Sequence, residues 1–369
     1  MNPTAHIPVS EPARRSKAIR RRREALLRAA AHLALAVIGL AMLLPLLWML
    51  STSLKPAARV LTFPPRWLPT VPTTAVVGGR ERELVEVTQG GRTSRAAIVG
   101  LRPAGLLLQP LAGGPRFLRP DGPGVRHLQR WAPHWRNYLE AWGALKVESG
   151  FFGLLRNADG FLVFYLNSLF VAVVVTAGQV ATSSLAAYAF ARLRFPGRDM
   201  LFLGYLATLM VPSVVTMIPV FALMRRMALT DTYWALILPG VFSAYGTFLL
   251  RQFFLTLPRE LEDAARIDGA GRFTIYHRII LPLSKPALAT LVTFVFLHSW
   301  NDFMWPVIVI DDLGKKTLPI GLAHFQTPFL TEWHLLMAAS VIVMVPVLVV
   351  FVAGQRYFVR GLVLSGIKG

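Results

Sequence analysis

Two polar tracts interrupt a chain whose long stretches are otherwise apolar. The first is HSWNDFMWP, His298–Pro306, in which Asn301 and Asp302 sit between Trp300 and Trp305. The second is DAARIDGAGRFTIYHRIILP at 263–282, charged and rich in small residues. These residue types offer binding chemistry: carboxylates and amides that accept and donate hydrogen bonds, and indole faces that can stack on a flat apolar surface. Bond-breaking chemistry finds no footing, and the chain reads as a non-enzyme. With no cysteine, disulfides, Cys-ligated zinc and thiol nucleophiles are excluded. The eight histidines show no HExxH spacing, no GxSxG elbow occurs, and no metal site is expected. There is no GxxxxGK[ST] to cradle a nucleotide, and the terminal LSGIKG shares too little with any phosphate-binding signature to replace it.

The elements that must position these tracts follow from hydropathy. Mean hydropathy is +0.51, hydrophobic residues make up 54% and charged residues 16%, a composition too apolar for a soluble domain. Apolar runs of about 18 residues or more are candidate membrane spans. Six are found: Ala30–Leu50, Leu162–Leu185 (helical on to Ala191), Met200–Met224, Tyr233–Leu250, Ala287–Ile310 and Leu335–Val352. Pro212, Pro219, Pro239, Pro306 and Pro346 fall in these runs, which implies a packed bundle whose neighbours re-satisfy the freed backbone groups. The first run is too long for a signal-peptide core, so it is expected to be an uncleaved span. The expected fold is therefore an all-α polytopic membrane protein with six transmembrane helices.

Lys and Arg in the short connecting segments set the orientation. With the N-terminus inside, the inner segments hold 20 of them and the short outer loops only 4, namely Arg225, Arg226, Lys315 and Lys316. Both termini and the 251–285 segment are thus expected on the cytoplasmic side. The net charge of +20 is partly this bias, and no basic soluble domain is present that would suit nucleic acid.

Within 263–282, Gly269 can take the positive φ that ends a helix, and Pro282 cannot continue one. The segment reads as two short helices joined by a tight turn at the membrane surface. Its pattern, an acidic residue, two alanines, Gly six residues on, then Ile279, Leu281 and Pro282, resembles the EAA loop of ABC-importer permeases, with Asp263 standing where the family usually has Glu. YAFARLRFPGRD at 188–199, LTDTYWALILPG at 229–240, QRYFVRGLVLSGIKG at 355–369, NSLFVA at 167–172, SLKP at 53–56 and NYLEAW at 137–142 occur in matching order. Together they resemble the carbohydrate-class, maltose-type permeases over 29–68 and about 134–369.

The resemblance implies a type I ABC-importer permease, a multi-pass protein of the cell membrane. It further implies these partners: an ABC ATPase dimer that binds the ATP and magnesium, a second permease forming a heterodimer, a soluble solute-binding protein and the lipid bilayer. A sugar or oligosaccharide is the implied cargo, with another polar solute such as a glycerol phosphate, or a stand-alone secondary carrier, as alternatives. Asp263, Ala264, Ala265, Gly269 and Ala270 would form the core of the ATPase-coupling helix, its small residues fitting a partner cleft, with Pro282 closing the loop at 258–285. Arg266 and Arg272 either pair across that interface or are solvated. For the translocation path, Asn301, Asp302, Trp300 and, on the second span, Asn167 are the candidates. Asn167, Thr176, Gln179 and Ser183 either line a path or join helices. The tail residues Ser365, Lys368 and Gly369 would reach the ATPase pair, while Arg356 and Arg360 serve equally well as inside-facing anchors.

The domain plan is a basic tail at 1–28, a first span at 29–53, an outer loop at 54–160, a permease core with five spans at 161–356 and a tail at 357–369. Residues 69–133 look like an insertion. Glu83–Val87 and Thr93–Val99 flank Gln89-Gly90-Gly91, a hairpin signal, and Leu106–Leu108 and Arg116–Leu118 suggest further strands. The expectation is a small β-rich lobe on the outer face, basic through nine Arg. It either steers an acidic partner or is a solvated decoration.

Overall fold

The protein is described by a computed structural model over residues 11–63, 65–89, 91–327 and 331–366. Helix α1 (Glu11–Ser53) is apolar all round from about Leu33 and leaves its apolar stretch largely uncovered, packing alongside the last helix, α14 (Trp333–Gly366), while its end at Thr52 and Ser53 is buried. A small β lobe follows. After α2 (Arg136–Gly143) and a hairpin of β9 (Lys146–Gly150) with β10 (Leu155–Asp159), the helical core begins with α3 (Gly160–Arg192).

Helix α3 is the central post. It contains no proline, and Val163, Asn167, Val171, Ala172, Val175 and Ser183 along it are buried. It packs against α7 (Ala244–Thr256) and α11 (Lys285–Trp300). The α3–α7 seam depends on small residues: a Cβ on Gly246 would stand 2.7 Å from Ser183 Oγ, and one on Gly240 2.8 Å from a Val175 methyl. Removing those side chains lets the backbones close, as membrane helix interfaces favour. Ser243 caps α7 by accepting from the Gly246 N–H at 3.1 Å.

Three of the expected runs are broken rather than continuous. Met200–Met224 divides into α4 (Arg198–Ala207) with a 3₁₀ turn and α5 (Ser213–Arg226), bent by 101°. Pro212 holds Val211 extended (φ −82°, ψ 118°), which a helix cannot continue. Tyr233–Leu250 comprises α6 (Tyr233–Ile237), a 3₁₀ turn holding Pro239, and α7. Ala287–Ile310 stops at Trp300 and resumes as α12 (Met304–Val309). By length and composition, four stretches among the described residues could cross a membrane: Arg23–Ser53, Gly160–Arg192, Tyr233–Thr256 and Trp333–Gln355. The bent pairs Arg198–Met210 with Ser213–Arg226, and Arg272–Leu283 with Lys285–Trp300, bring the total to as many as six. The short α13 (Leu318–Ala323) seats against α3.

The 69–133 segment is a sheet, as its hairpin signal suggests. Strands β2 (Thr74–Val77), β3 (Arg80–Gln89), β4 (Arg92–Arg102), β5 (Gly105–Pro110) and β6 (Phe117–Arg119) run antiparallel in that order, and β7 (Val125–His127) shares β3. The β3–β4 register pairs Leu84 with Ala97 and Gln89 with Arg92. Val85, Val87, Ala96, Leu106 and Leu108 form a core of its own, separate from the helical clusters. At the neck, β1 (Thr70–Pro72) pairs with β8 (Gln129–Trp131).

Candidate coupling segment and translocation cavity

The first candidate site is a helical hairpin between α7 and α11. Helix α8 (Glu260–Ile267) opens with Glu260, Glu262 and Asp263 in its first turn and has Arg266 in its last, a charge order that complements the helix dipole. Its end is a Schellman motif. The Gly269 N–H donates to Arg266 O at 3.0 Å and the Ala270 N–H to Ala265 O at 2.8 Å, with Gly269 at φ +83°. The return arm is α9 (Arg272–Ile275), a wider π turn at Tyr276–Ile280 and α10 (Leu281–Leu283), which carries Pro282.

The hairpin is fastened to the bundle at its base. Arg192, the last residue of α3, places Nε 2.9 Å from Glu262 Oε1, and both side chains are under 5% exposed. The two atoms meet off-line, so this is a close charge contact rather than a straight hydrogen bond. Arg192 Nη2 also donates to Phe254 O and Leu257 O at 2.5 and 2.8 Å, gathering the ends of α3, α7 and α8 at one guanidinium. Above it, Tyr276 and Ser184 share a buried hydroxyl–hydroxyl hydrogen bond of 2.8 Å, and Tyr188 donates to Arg272 O at 3.3 Å.

The expected coupling residues divide between two faces. Asp263 and Ala264 are exposed, and Asp263 accepts from Arg266 Nη1 at 3.1 Å within its own helix. Arg272 is exposed and Gly269 forms the tip. Ala265 and Ala270 instead pack inward against the helical core, so their small size serves the base of the hairpin. The outward apolar surface is made by Leu261, Ile267 and Phe273, with Ile267 87% exposed. Glu262 and Arg192 were not singled out from the sequence. The available signal was an acidic residue beside the Asp-Ala-Ala step and an Arg at the end of an apolar run.

The second candidate site is a cavity of about 850 Å³ bounded by α3, α5, α6, α7, α11 and α12. Val175 and Gln179 face it from α3, Ser213, Thr216 and Met217 from α5, Ser243 and Tyr245 from the start of α7, and His298, Ser299, Asp302, Met304 and Trp305 from the far wall. Asp302 thus lines this cavity. It also accepts a long hydrogen bond from the Trp305 N–H, 3.4 Å, at the start of α12.

The other path candidates are engaged elsewhere. Trp300 is fully buried, donates from Nε1 to Val343 O of α14 at 3.2 Å and packs edge-on against Tyr165, which corrects the expectation that it faces a solute. Trp305 is the tryptophan that lines the cavity, its ring fixed by Nε1 donating to Ala235 O at 2.9 Å. Asn301 donates to Leu297 O at 2.7 Å and closes the end of α11. Asn167 joins elements: its amide donates to Gly314 O and Lys316 O at 3.0 and 2.9 Å and accepts from the Tyr233 hydroxyl at 2.6 Å. Gln179 lines the cavity, whereas Thr176 and Ser183 are buried within helix contacts. Helix α14 extends to Gly366, so Ser365 is helical, while Lys368 and Gly369 lie outside the described residues.

Residues 179–363 match the family of binding-protein-dependent transport system inner membrane components. The chain belongs to this family. The match takes in the hairpin, the far wall of the cavity and most of α14. Among relatives, the arabinooligosaccharides transport system permease protein AraQ of Halalkalibacterium halodurans is 40% identical over 219 residues, 59% of this chain and 78% of that protein. The sn-glycerol-3-phosphate transport system permease protein UgpE of Yersinia pestis is 39% identical over 236 residues, 63% of this chain and 81% of its own. The crystal structure of a bacterial ABC transporter involved in import of the acidic polysaccharide alginate superposes with a TM-score of 0.61 at 20% identity, over 91% of this chain and 98% of that one. That likeness establishes the shared ABC-importer permease fold. This permease is therefore a membrane component of a transport system.

Proposed function

We propose that this chain is one of two permease subunits, forming a heterodimer, in an ATP-driven importer of a sugar or oligosaccharide delivered by a soluble binding protein. The observation that carries the reading is the continuity from the α8–α9 hairpin to the cavity. Leu261, Ile267 and Phe273 leave an apolar surface free for a partner subunit, and the buried Arg192–Glu262 contact fastens the base of the hairpin to α3. Helix α3 in turn supplies Val175 and Gln179 to the cavity wall. A push on the hairpin is then transmitted along one unbroken helix.

In this reading the ATPase dimer binds ATP and magnesium, the loop at 258–285 docks on it, and the solute passes between the two permeases by the cavity at Asp302. The spans number six, both termini and the hairpin are cytoplasmic, and the β lobe faces outward. The AraQ likeness supports an oligosaccharide cargo. The test is reconstitution of the chain with its partner permease and ATPases in proteoliposomes. Binding protein loaded with arabinotriose should stimulate ATP hydrolysis several-fold and drive uptake. ATP hydrolysis indifferent to binding protein, with no uptake, would contradict it.

A further inference from the structure

The relatives named above handle cargo of opposite character, uncharged arabinooligosaccharides on one side and a phosphate ester on the other, and the cavity separates these classes. Among the described residues that line it there is no Lys and no Arg; the ionisable groups are Asp302, His298 and Tyr245. We infer that the solute crossing this half of the path is an uncharged polyhydroxylated one, and that Asp302 acts against phosphate- and carboxylate-bearing cargo. This rests on the importer reading above.

The polar groups suit hydroxyls. Gln179 stands on one wall and Ser299 with Asp302 on the other, so amide, hydroxyl and carboxyl groups face one another across the space. The ring of Trp305, immobilised through Ala235 O, offers a flat face to the C–H side of a sugar. An anion finds no counter-charge. In its ionised form Asp302 repels the anion, and in its protonated form it is only a neutral donor. His298, in the last turn of α11, lines the same wall as Asp302 in the break just beyond it, so an imidazolium formed there is offset by that carboxylate and the two carry no net positive charge. Like charges at contact distance beside a protein wall repel more strongly than in bulk water, so the carboxylate works against an anionic solute. Arginines are plentiful elsewhere, at 194, 259 and 272 around the base of the hairpin, which makes their absence from the cavity a property of that site.

The test compares two probes in the reconstituted complex: a neutral pentose trisaccharide and the same trisaccharide carrying one uronic carboxylate. ATP-dependent uptake of each is normalised to occupancy of the binding protein, which removes that protein's own preference. The wild-type chain should move the neutral probe at least ~10-fold faster. Asp302→Asn should narrow the ratio several-fold, and Asp302→Lys should narrow it further, in variants shown by immunoblot to reach the membrane. Equal or faster uptake of the anionic probe by the wild type, or a ratio unmoved in both variants, would overturn the inference and leave the importer standing. ATP-dependent uptake of neither probe would overturn the importer reading and the inference together.

Discussion

Arg192 and Glu262 are the pair on which the hairpin turns, and each is buried with the other as its charge partner. Glu262→Gln leaves an uncompensated guanidinium, a change that costs about 3–5 kcal/mol when a buried pair is broken from one side. We expect a lower melting temperature and loss of ATPase on copurification; the double change Arg192→Met with Glu262→Met should recover much of the stability. A second residue-scale prediction concerns the loop that bears Asn167's partners. Lys315 reaches Asp312 at 2.9 Å and Asp231 at 3.3 Å. For Asp312, burial alone would raise the carboxyl, but the hydrogen bonds from Lys315 and the Gly314 N–H outweigh it and hold the group below the usual carboxylate range. A depressed folded value means stability present above the unfolded pKa of about 3.9 and lost as pH falls through the folded one. Amide protection factors at 311–316, corrected for the intrinsic pH dependence of exchange, should therefore be flat from neutral pH to about 5 and fall only in stronger acid. Asp263 and Gly269 were legible in the sequence because their roles are local: an acid in a first helical turn, and a glycine where φ must be positive. The Arg192–Glu262 contact was not, because it joins residues far apart in the chain, each of which reads alone as a surface charge.

At the scale of elements, the hairpin signal in 69–133 was read correctly because strand alternation and a Gly turn are local, and the bounds of four strands fall within three residues of their expected places. The breaks near Pro212 and Pro239 were not legible. Hydropathy reports how apolar a run is but carries no information on bends, and all three breaks depend on Pro212, Pro239 and the Asn301–Asp302 caps acting against packed neighbours. Gly246 tests the α3–α7 seam. Gly246→Val places a Cβ against Ser183 Oγ and should destabilise by about 1–3 kcal/mol through overpacking, seen as a lower melting temperature by circular dichroism. The β lobe has its own core and a two-stranded neck at Thr70–Trp131. Excising 70–132 with a short linker should leave membrane insertion and stimulated ATP hydrolysis in place; an aggregated product would show that the helical core needs the lobe. If the lobe steers a binding protein, uptake at limiting binding protein should also fall and become less salt-sensitive.

For the whole molecule, family and general fold were visible in scattered short motifs, since each constrains backbone geometry or partner contact, whereas the identity of the cavity residues emerged only once six helices were set around one space. Trp300 and Trp305 illustrate this: the sequence gives both the same character, and packing against α14 or α6 assigns one to the core and the other to the cavity. In the proposed transport cycle the exposed face of the 258–285 hairpin is the surface that meets the ATPase. A photo-crosslinking residue at position 267 on the hairpin tests this directly, with position 101 on the β lobe as reference, since Ile267 and Leu101 are 87% and 79% exposed. In the assembled complex, irradiation should join the ATPase to position 267 and not to position 101, and the yield at 267 should change on adding ATP and loaded binding protein. A crosslink to the ATPase from the lobe, with none from the hairpin, would contradict the assignment of 258–285 as the coupling segment.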